Sequence, residues 1–167
     1  MTWVTDIADL RMFPPGISHV DANDVEPQLP ELLSAGIATI EQRRVFFAVA
    51  SSRLSPLAQV TIDSSASELI AMDSSLRAVG RHLELELAGR ADATGLDSTN
   101  QSLSADRAQN VRLALIRGGV PETAVSTRAF GASAPLAVTD TTARARVNRS
   151  VSFVVRVARN ERSTIPR

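Results

Sequence analysis

The sequence predicts an α/β sandwich. From residue 44 onward the elements run β-α-β-α-β-α-β, a small mixed sheet with helices on one face. Three observations carry this. In "HLELELAG" Leu83, Leu85 and Leu87 alternate with Glu84 and Glu86, the period of a strand with one buried face. Stretches with apolar residues at helical spacing separate that strand from the other β-like runs. The chain has 167 residues, 44% apolar and 22% charged, enough for one well-buried domain plus an extension and unlike a disordered chain.

Taken in order, residues 3–12 place Val4, Ile7, Ala8 and Met12 on one helical face, and Pro14 and Pro15 stop that helix. "ISHVD" follows as a short strand through Ile17 and Val20. "DANDVEPQLP" is a linker by composition, and Pro30 suits the first position of a helix over 30–43. Residues 1–43 thus form a helix-strand-helix extension. "RRVFFAVA" reads as a buried strand at 44–50. Residues 56–79 carry Leu57, Val60, Leu69, Met72, Leu76 and Val79 in a helical pattern crossed by the Ser-rich "DSSAS". After the Leu83–Leu87 strand comes a loop over 89–103. Ser104 is expected as the N-cap of the next helix, with Asp106 in its first turn. That helix runs to Arg117, turns Ala108, Val111 and Leu115 inward, and ends at Gly118-Gly119. "AVSTRAFG" is a third strand, "DTTARARV" a short helix start and "RSVSFVVRV" a fourth strand. The main domain is 44–157, and 158–167 is a polar tail expected to fray.

Composition excludes several functions. Eighteen basic and eighteen acidic residues cancel, and aromatics are 4%, so neither excess positive charge nor stacking rings point to nucleic acid. All the basic residues are Arg, which genomic base composition accounts for; each is a planar fork suited to gripping carboxylates. Without Cys there is no disulfide, thiolate metal site or cysteine nucleophile. No apolar run approaches the ~18 residues of a membrane span, and Asp6 and Asp9 interrupt any signal-peptide core. Membrane attachment is expected only through further parts of a longer chain. His19 and His82 lie in predicted strands without metal spacing. "HExxH" and "GxSxG" are absent, and "DATGLDSTN" lacks the acids of a calcium loop. An enzyme is not expected, nor a cofactor.

The stretch "GRADATGLDSTNQSLSADRAQNV" (89–111) holds one acid, Asp92, and one base, Arg107, fifteen positions apart. Arg107 stands three residues past the expected N-cap, where a capping box would have Glu or Gln. Two readings are open. Arg107 is an exposed side chain paired with Asp97 or another nearby acid, a contact worth little. Alternatively, Arg107 and the free N–H groups of a helix start receive a carboxylate while Asp92 takes an ammonium, a clamp for one end of an amino acid.

The same stretch resembles the signature of the OmpA-like C-terminal domain, the family of OmpA-type porins, the Pal lipoprotein and the MotB stator protein. The matching positions are Gly89, Asp92, Gly95, Asn100, Leu103, Ser104, Arg107 and Ala108. "GASAP" (131–135) and "VNRSVSF", through Asn148, Arg149 and Val151, match further motifs, and the resemblance covers residues 44–157. It implies the OmpA-like form of the sandwich and non-covalent binding of peptidoglycan through the diaminopimelate of the stem peptide. By position, Asp92 accepts the diaminopimelate ammonium, Arg107 grips its carboxylate and Arg149 supports the site from the last strand. Thr94 is counted with them, and Asn100 is expected to fix the loop. The resemblance also implies a periplasmic or cell-envelope location, attached to an outer- or inner-membrane protein, and leaves a homodimer open. Charge-assisted bonds of ~1.5–3 kcal/mol each imply micromolar to millimolar affinity.

The sequence departs from the family at Ala48, Val49 and Ala50, where an acid or Asn is usual, at Arg90 and Ala91, and at Ser150, where a second Arg is usual. These departures favour the alternative, an interaction or assembly domain that keeps the fold without binding the cell wall. Residues 1–25 weakly resemble the end of a BON-type module.

Overall fold

The computed structural model describes residues 28–137 and 142–159. The expected helix over 3–12, the strand through Ile17 and Val20, the BON-like resemblance and the tail beyond Arg159 lie outside them. By its contacts the chain divides after Ser34 into Met1–Ser34 and Ala35–Arg167.

The elements are α1 (Gln28–Gln42), β1 (Arg44–Phe46), α2 (Pro56–Ala78), β2 (Arg81–Gly89), α3 (Asp97–Arg117), a single 3-10 turn at Glu122–Ala124, β3 (Val125–Ala129), α4 (Thr142–Asn148) and β4 (Ser150–Arg159). The sheet order is β1-β4-β2-β3. β4 is antiparallel to both neighbours, while β2 and β3 are parallel. β1, β2 and β3 therefore point the same way. Their C-terminal ends and the start of β4 meet at one end of the sheet.

The period-two expectation for β2 holds. Leu83, Leu85 and Leu87 are buried, and opposite them in β4 stand Val157, Val155 and Phe153. Against this face α2 turns Ala58, Ile62, Ala66, Leu69 and Leu76, and α3 turns Ala108, Val111, Ala114 and Leu115. Glu84 and Arg156 face outward from the other side. Ser55 caps α2, its Oγ accepting from the Ala58 N–H at 3.1 Å, and Pro56 opens the first turn.

Several expectations are corrected by tertiary contacts. Leu57, Val60 and Val79 are exposed, because the buried stripe of α2 runs through Ala58, Ile62 and Ala66 before it meets the expected Leu69 and Leu76. The serines do not break the helix: Ser65 returns its hydroxyl to the Thr61 carbonyl at 2.7 Å and accepts from Arg43 at 3.2 Å. β1 stops at Phe46 instead of continuing to residue 50, and Ala50 takes a left-handed φ of 49° as the chain turns. β4 runs on through Ala158 and Arg159, expected in the tail, because Arg159 pairs with Arg81. The main unit also begins earlier than residue 44. Ile40 is fully buried, and Glu41 accepts from the Val155 N–H at 3.0 Å, beyond the reach of the short edge strand β1.

Candidate functional site

The candidate site forms where the sheet's C-terminal ends meet the start of β4. The sharpest correction concerns the helix that carries Arg107. α3 begins at Asp97 with Leu96 as N-cap, seven residues ahead of the expected start at Ser104. Ser104 is fully buried inside the helix, donating to the Gln101 carbonyl at 2.9 Å and accepting from the Gly131 N–H at 2.9 Å. Arg107 therefore stands in the helix interior, away from the N-terminal amides and the positive end of the dipole.

Arg107 is also fully buried. Its Nε donates to the Ser51 carbonyl at 2.9 Å, Nη1 to the Arg90 carbonyl at 3.0 Å and Nη2 to the Ala48 carbonyl at 3.1 Å. The guanidinium carbon lies 5.3 Å from the Phe47 ring centre, a cation–π contact. Three of the five N–H groups thus tie the loop after β1 to the loop after β2. Asn110 adds a bond to the Ser52 carbonyl at 2.9 Å. An exposed pairing of Arg107 with Asp97 is ruled out by this burial.

Asp92 and Arg149 face each other across the same end of the sheet. Arg149 Nη1 donates to Asp92 Oδ2 at 2.9 Å, and each side chain is 10% exposed. Thr94 donates its hydroxyl to the other carboxylate oxygen, Oδ1. Burial works to raise the Asp92 carboxyl; the Thr94 and Arg149 hydrogen bonds and the Arg149 charge outweigh it, leaving the group below its ordinary value. Burial lowers Arg107 to about 10, with the Asp92 charge raising it and the Arg149 charge lowering it further. At neutral pH the Asp92 carboxylate and the Arg107 guanidinium are both charged. One buried acid is thus set among two buried bases, an excess of one positive charge.

Hydrogen bonds join Asp92, Thr94 and Arg149, and Arg107 lies within reach of the Asp92 and Arg149 charges. Asn100 is not tied to them. It is buried in the first turn of α3, and its Nδ2 has no hydrogen-bond partner, so the loop-fixing bond expected of it is absent. A buried donor without an acceptor costs ~1–3 kcal/mol. The departures from the family signature also find places. Ala91 is buried with its N–H on the Gly131 carbonyl at 2.8 Å. Ser150 is fully buried with its hydroxyl on the Val147 carbonyl at 2.7 Å, and Ala48 supplies a backbone carbonyl to Arg107.

The anchoring carbonyls of Ala48, Ser51 and Arg90 escaped the sequence, since backbone acceptors leave no residue signature. The burial of Arg107 did leave one. Asn100, Ser104, Arg107, Val111 and Ala114 follow three- and four-residue steps, so the inward stripe of α3 can be traced back through polar residues to its true start. Among the described residues no group of three or more His, Asp or Glu could hold a metal, and no helix is long and apolar enough to cross a membrane.

A four-stranded mixed sheet under helices, with a buried Asp and two buried Arg at its carboxyl end, defines a class. The chain belongs to the OmpA family, whose profile matches residues 46–149. Among curated proteins, it is 29% identical over 154 residues to the outer-membrane lipoprotein YfiB of Pseudomonas aeruginosa, covering 91% of this chain and 87% of that one. It is 39% identical over 71 residues to outer membrane porin F of Pseudomonas fluorescens, covering 42% of this chain but only 22% of the porin. Among solved structures, the peptidoglycan-associated lipoprotein of Burkholderia pseudomallei superimposes with a TM-score of 0.61 at 23% identity, over 69% of this chain and 91% of that one. The C-terminal domain of Helicobacter pylori MotB gives 0.58 at 22% identity, over 68% of this chain and 84% of that one. These structural likenesses establish the same fold.

Proposed function

We propose that this chain binds peptidoglycan non-covalently in the cell envelope through the diaminopimelate of the stem peptide. The observation that carries the reading is the charge balance of the site. Asp92 is held ionised beside Arg149 and Arg107, so the buried cluster keeps one positive charge that a ligand carboxylate would neutralise. An ammonium joining Asp92 and a carboxylate joining the guanidinia describe the free amino-acid end of diaminopimelate. Family membership and a relative of the same fold that is a peptidoglycan-associated lipoprotein fit association with the cell wall.

The roles follow from exposure. Asp92 receives the ammonium, and Thr94 orients its carboxylate. Arg149, 9% exposed against fully buried Arg107, is the guanidinium a carboxylate reaches first. Arg107 stands behind it with two N–H groups not committed to carbonyls, and its charge adds to the attraction. A cell-envelope location fits the outer-membrane relatives. The competing reading, an assembly domain without cell-wall binding, loses part of its ground: Ala91, in the loop after β2, and Ser150, at the start of β4, are both buried.

Calorimetric titration with a diaminopimelate-containing muropeptide tests the proposal. The wild type should bind with micromolar to millimolar affinity, and Asp92→Asn should weaken binding at least tenfold, since a charge-assisted bond is worth ~1.5–3 kcal/mol. No binding by folded wild type at millimolar ligand would falsify the reading.

A further inference from the structure

Arg149 also lines an open cavity of about 570 Å³, walled by β1, the turn after it, the start of α2 and α4. Four arginines line it, Arg44, Arg53, Arg146 and Arg149, and no carboxylate does. Elsewhere on the described surface Arg43 pairs with Glu68, Arg77 with Asp73 and Arg112 with Glu122. Arg44, Arg53 and Arg146 have no such partner among the described residues. The chain as a whole carries as many acids as bases, so the segregation is local.

The cavity is held in shape. Arg146 lies 5.4 Å from the Phe46 ring centre, a cation–π contact at the rim. Arg149 is fixed by Asp92 on one side and donates Nε to the Phe47 carbonyl at 3.4 Å. Phe46, Phe47 and Leu57 supply apolar wall. Like-charged guanidinia facing one space repel each other and gain from a bound anion, and planar forks beside apolar walls suit peptide carboxylates.

We propose that this cavity is a second subsite, which takes further free carboxylates of a stem peptide whose diaminopimelate lies at Asp92 and Arg149. The proposal rests on the reading of that site as the diaminopimelate site, and the two sites share Arg149 as their common wall. The subsite makes the chain selective for stem peptides with an unmodified glutamyl α-carboxylate over amidated ones. Arg53 and Arg146 are exposed and contribute charge at the mouth, and Arg44 contributes it deeper along β1.

The test uses the full chain and three probes: free diaminopimelate, the tripeptide L-Ala-γ-D-Glu-diaminopimelate, and the same tripeptide amidated at the glutamyl α-carboxylate. The wild type should bind the unmodified tripeptide about tenfold more tightly than the amidated one, the scale of one charge-assisted contact. The double variant Arg53→Gln/Arg146→Gln, whose fold is checked by its melting curve, should bring the two tripeptides to equal affinity and leave free diaminopimelate unchanged. Equal affinities in the wild type, or a preference that survives the double variant, overturn the subsite alone. Failure of all three probes to bind overturns the diaminopimelate site, and the subsite with it.

Discussion

Arg107 shows how one residue type can be legible and its role not. It is the largest fully buried side chain, and its three carbonyl bonds join the loops that follow β1 and β2. Its first duty is therefore to shape the site. Arg107→Gln leaves at least one of those carbonyls unpaired and removes the charge facing Asp92. It should lower stability by about 3–5 kcal/mol in denaturant titration. Loss of ligand binding in that variant then reports a loosened site as much as a lost contact, so Asp92→Asn is the cleaner probe. Asp92 also makes a pH prediction. Its folded value lies below the ordinary 3.8, so its contribution to stability is fully present above the unfolded value and is lost as pH falls through the folded one. The stability difference between wild type and Asp92→Asn should hold constant from pH 7 to about 5 and shrink below about 4. A difference that shrinks instead near pH 6 would mean a raised pKa and a carboxyl unsuited to hold an ammonium.

The element that decides the site is the junction of β2, α3 and the turn after β3. A Cβ built on Gly89 would stand 2.2 Å from the Ser104 carbonyl oxygen of α3, so strand and helix backbones meet only because residue 89 has no side chain. Gly89→Ala should cost about 3 kcal/mol or more in thermal unfolding, since backbone on both sides must move. Ser104 closes the same junction through the Gly131 N–H. Ser104→Ala leaves that buried donor unpaired and should cost about 1–3 kcal/mol in the same assay. The turn after β1 has room for improvement. Ala50 holds a φ of 49°, a conformation that costs an L-residue about 1–2 kcal/mol, and Gly pays back part of that in backbone entropy. Ala50→Gly should therefore raise stability by about 0.5–1 kcal/mol, and a drop would show that the Ala methyl makes contacts worth more than the strain.

At the scale of the molecule, the last strand is the keystone of the sheet. β4 pairs with β1 on one edge and with β2 along nine positions on the other, and it brings Arg149 to Asp92. A chain truncated after Asn148 loses Phe153 and Val155 from the core and leaves β1 without a partner. It should lose the cooperative unfolding transition of the full chain by circular dichroism, because the remaining β2–β3 pair has no neighbour to complete a buried face. The short edge strand β1 and the Glu41 bond to the Val155 N–H protect the other side of β4 from pairing with foreign strands.

Sequence alone determined the strands and helices whose periodicity is clean, above all the leucines of β2, because burial on one face repeats with the geometry of the backbone. A family resemblance, not periodicity, singled out Asp92, Thr94, Arg107 and Arg149. Sequence alone did not reach the true start of α3, the early end of β1 or the paired status of residues 158 and 159. Each of these depends on a partner distant in the chain: Gly131 for Ser104, the Ala48 and Ser51 carbonyls for Arg107, and Arg81 for Arg159. Tertiary structure alone decided that Arg107 is a buried brace, that Arg149 is buried against Asp92 and that four arginines share a cavity without an acid. A side chain's charge is written in its own identity, but whether that charge meets water, a carbonyl or a ligand depends on which backbone folds over it.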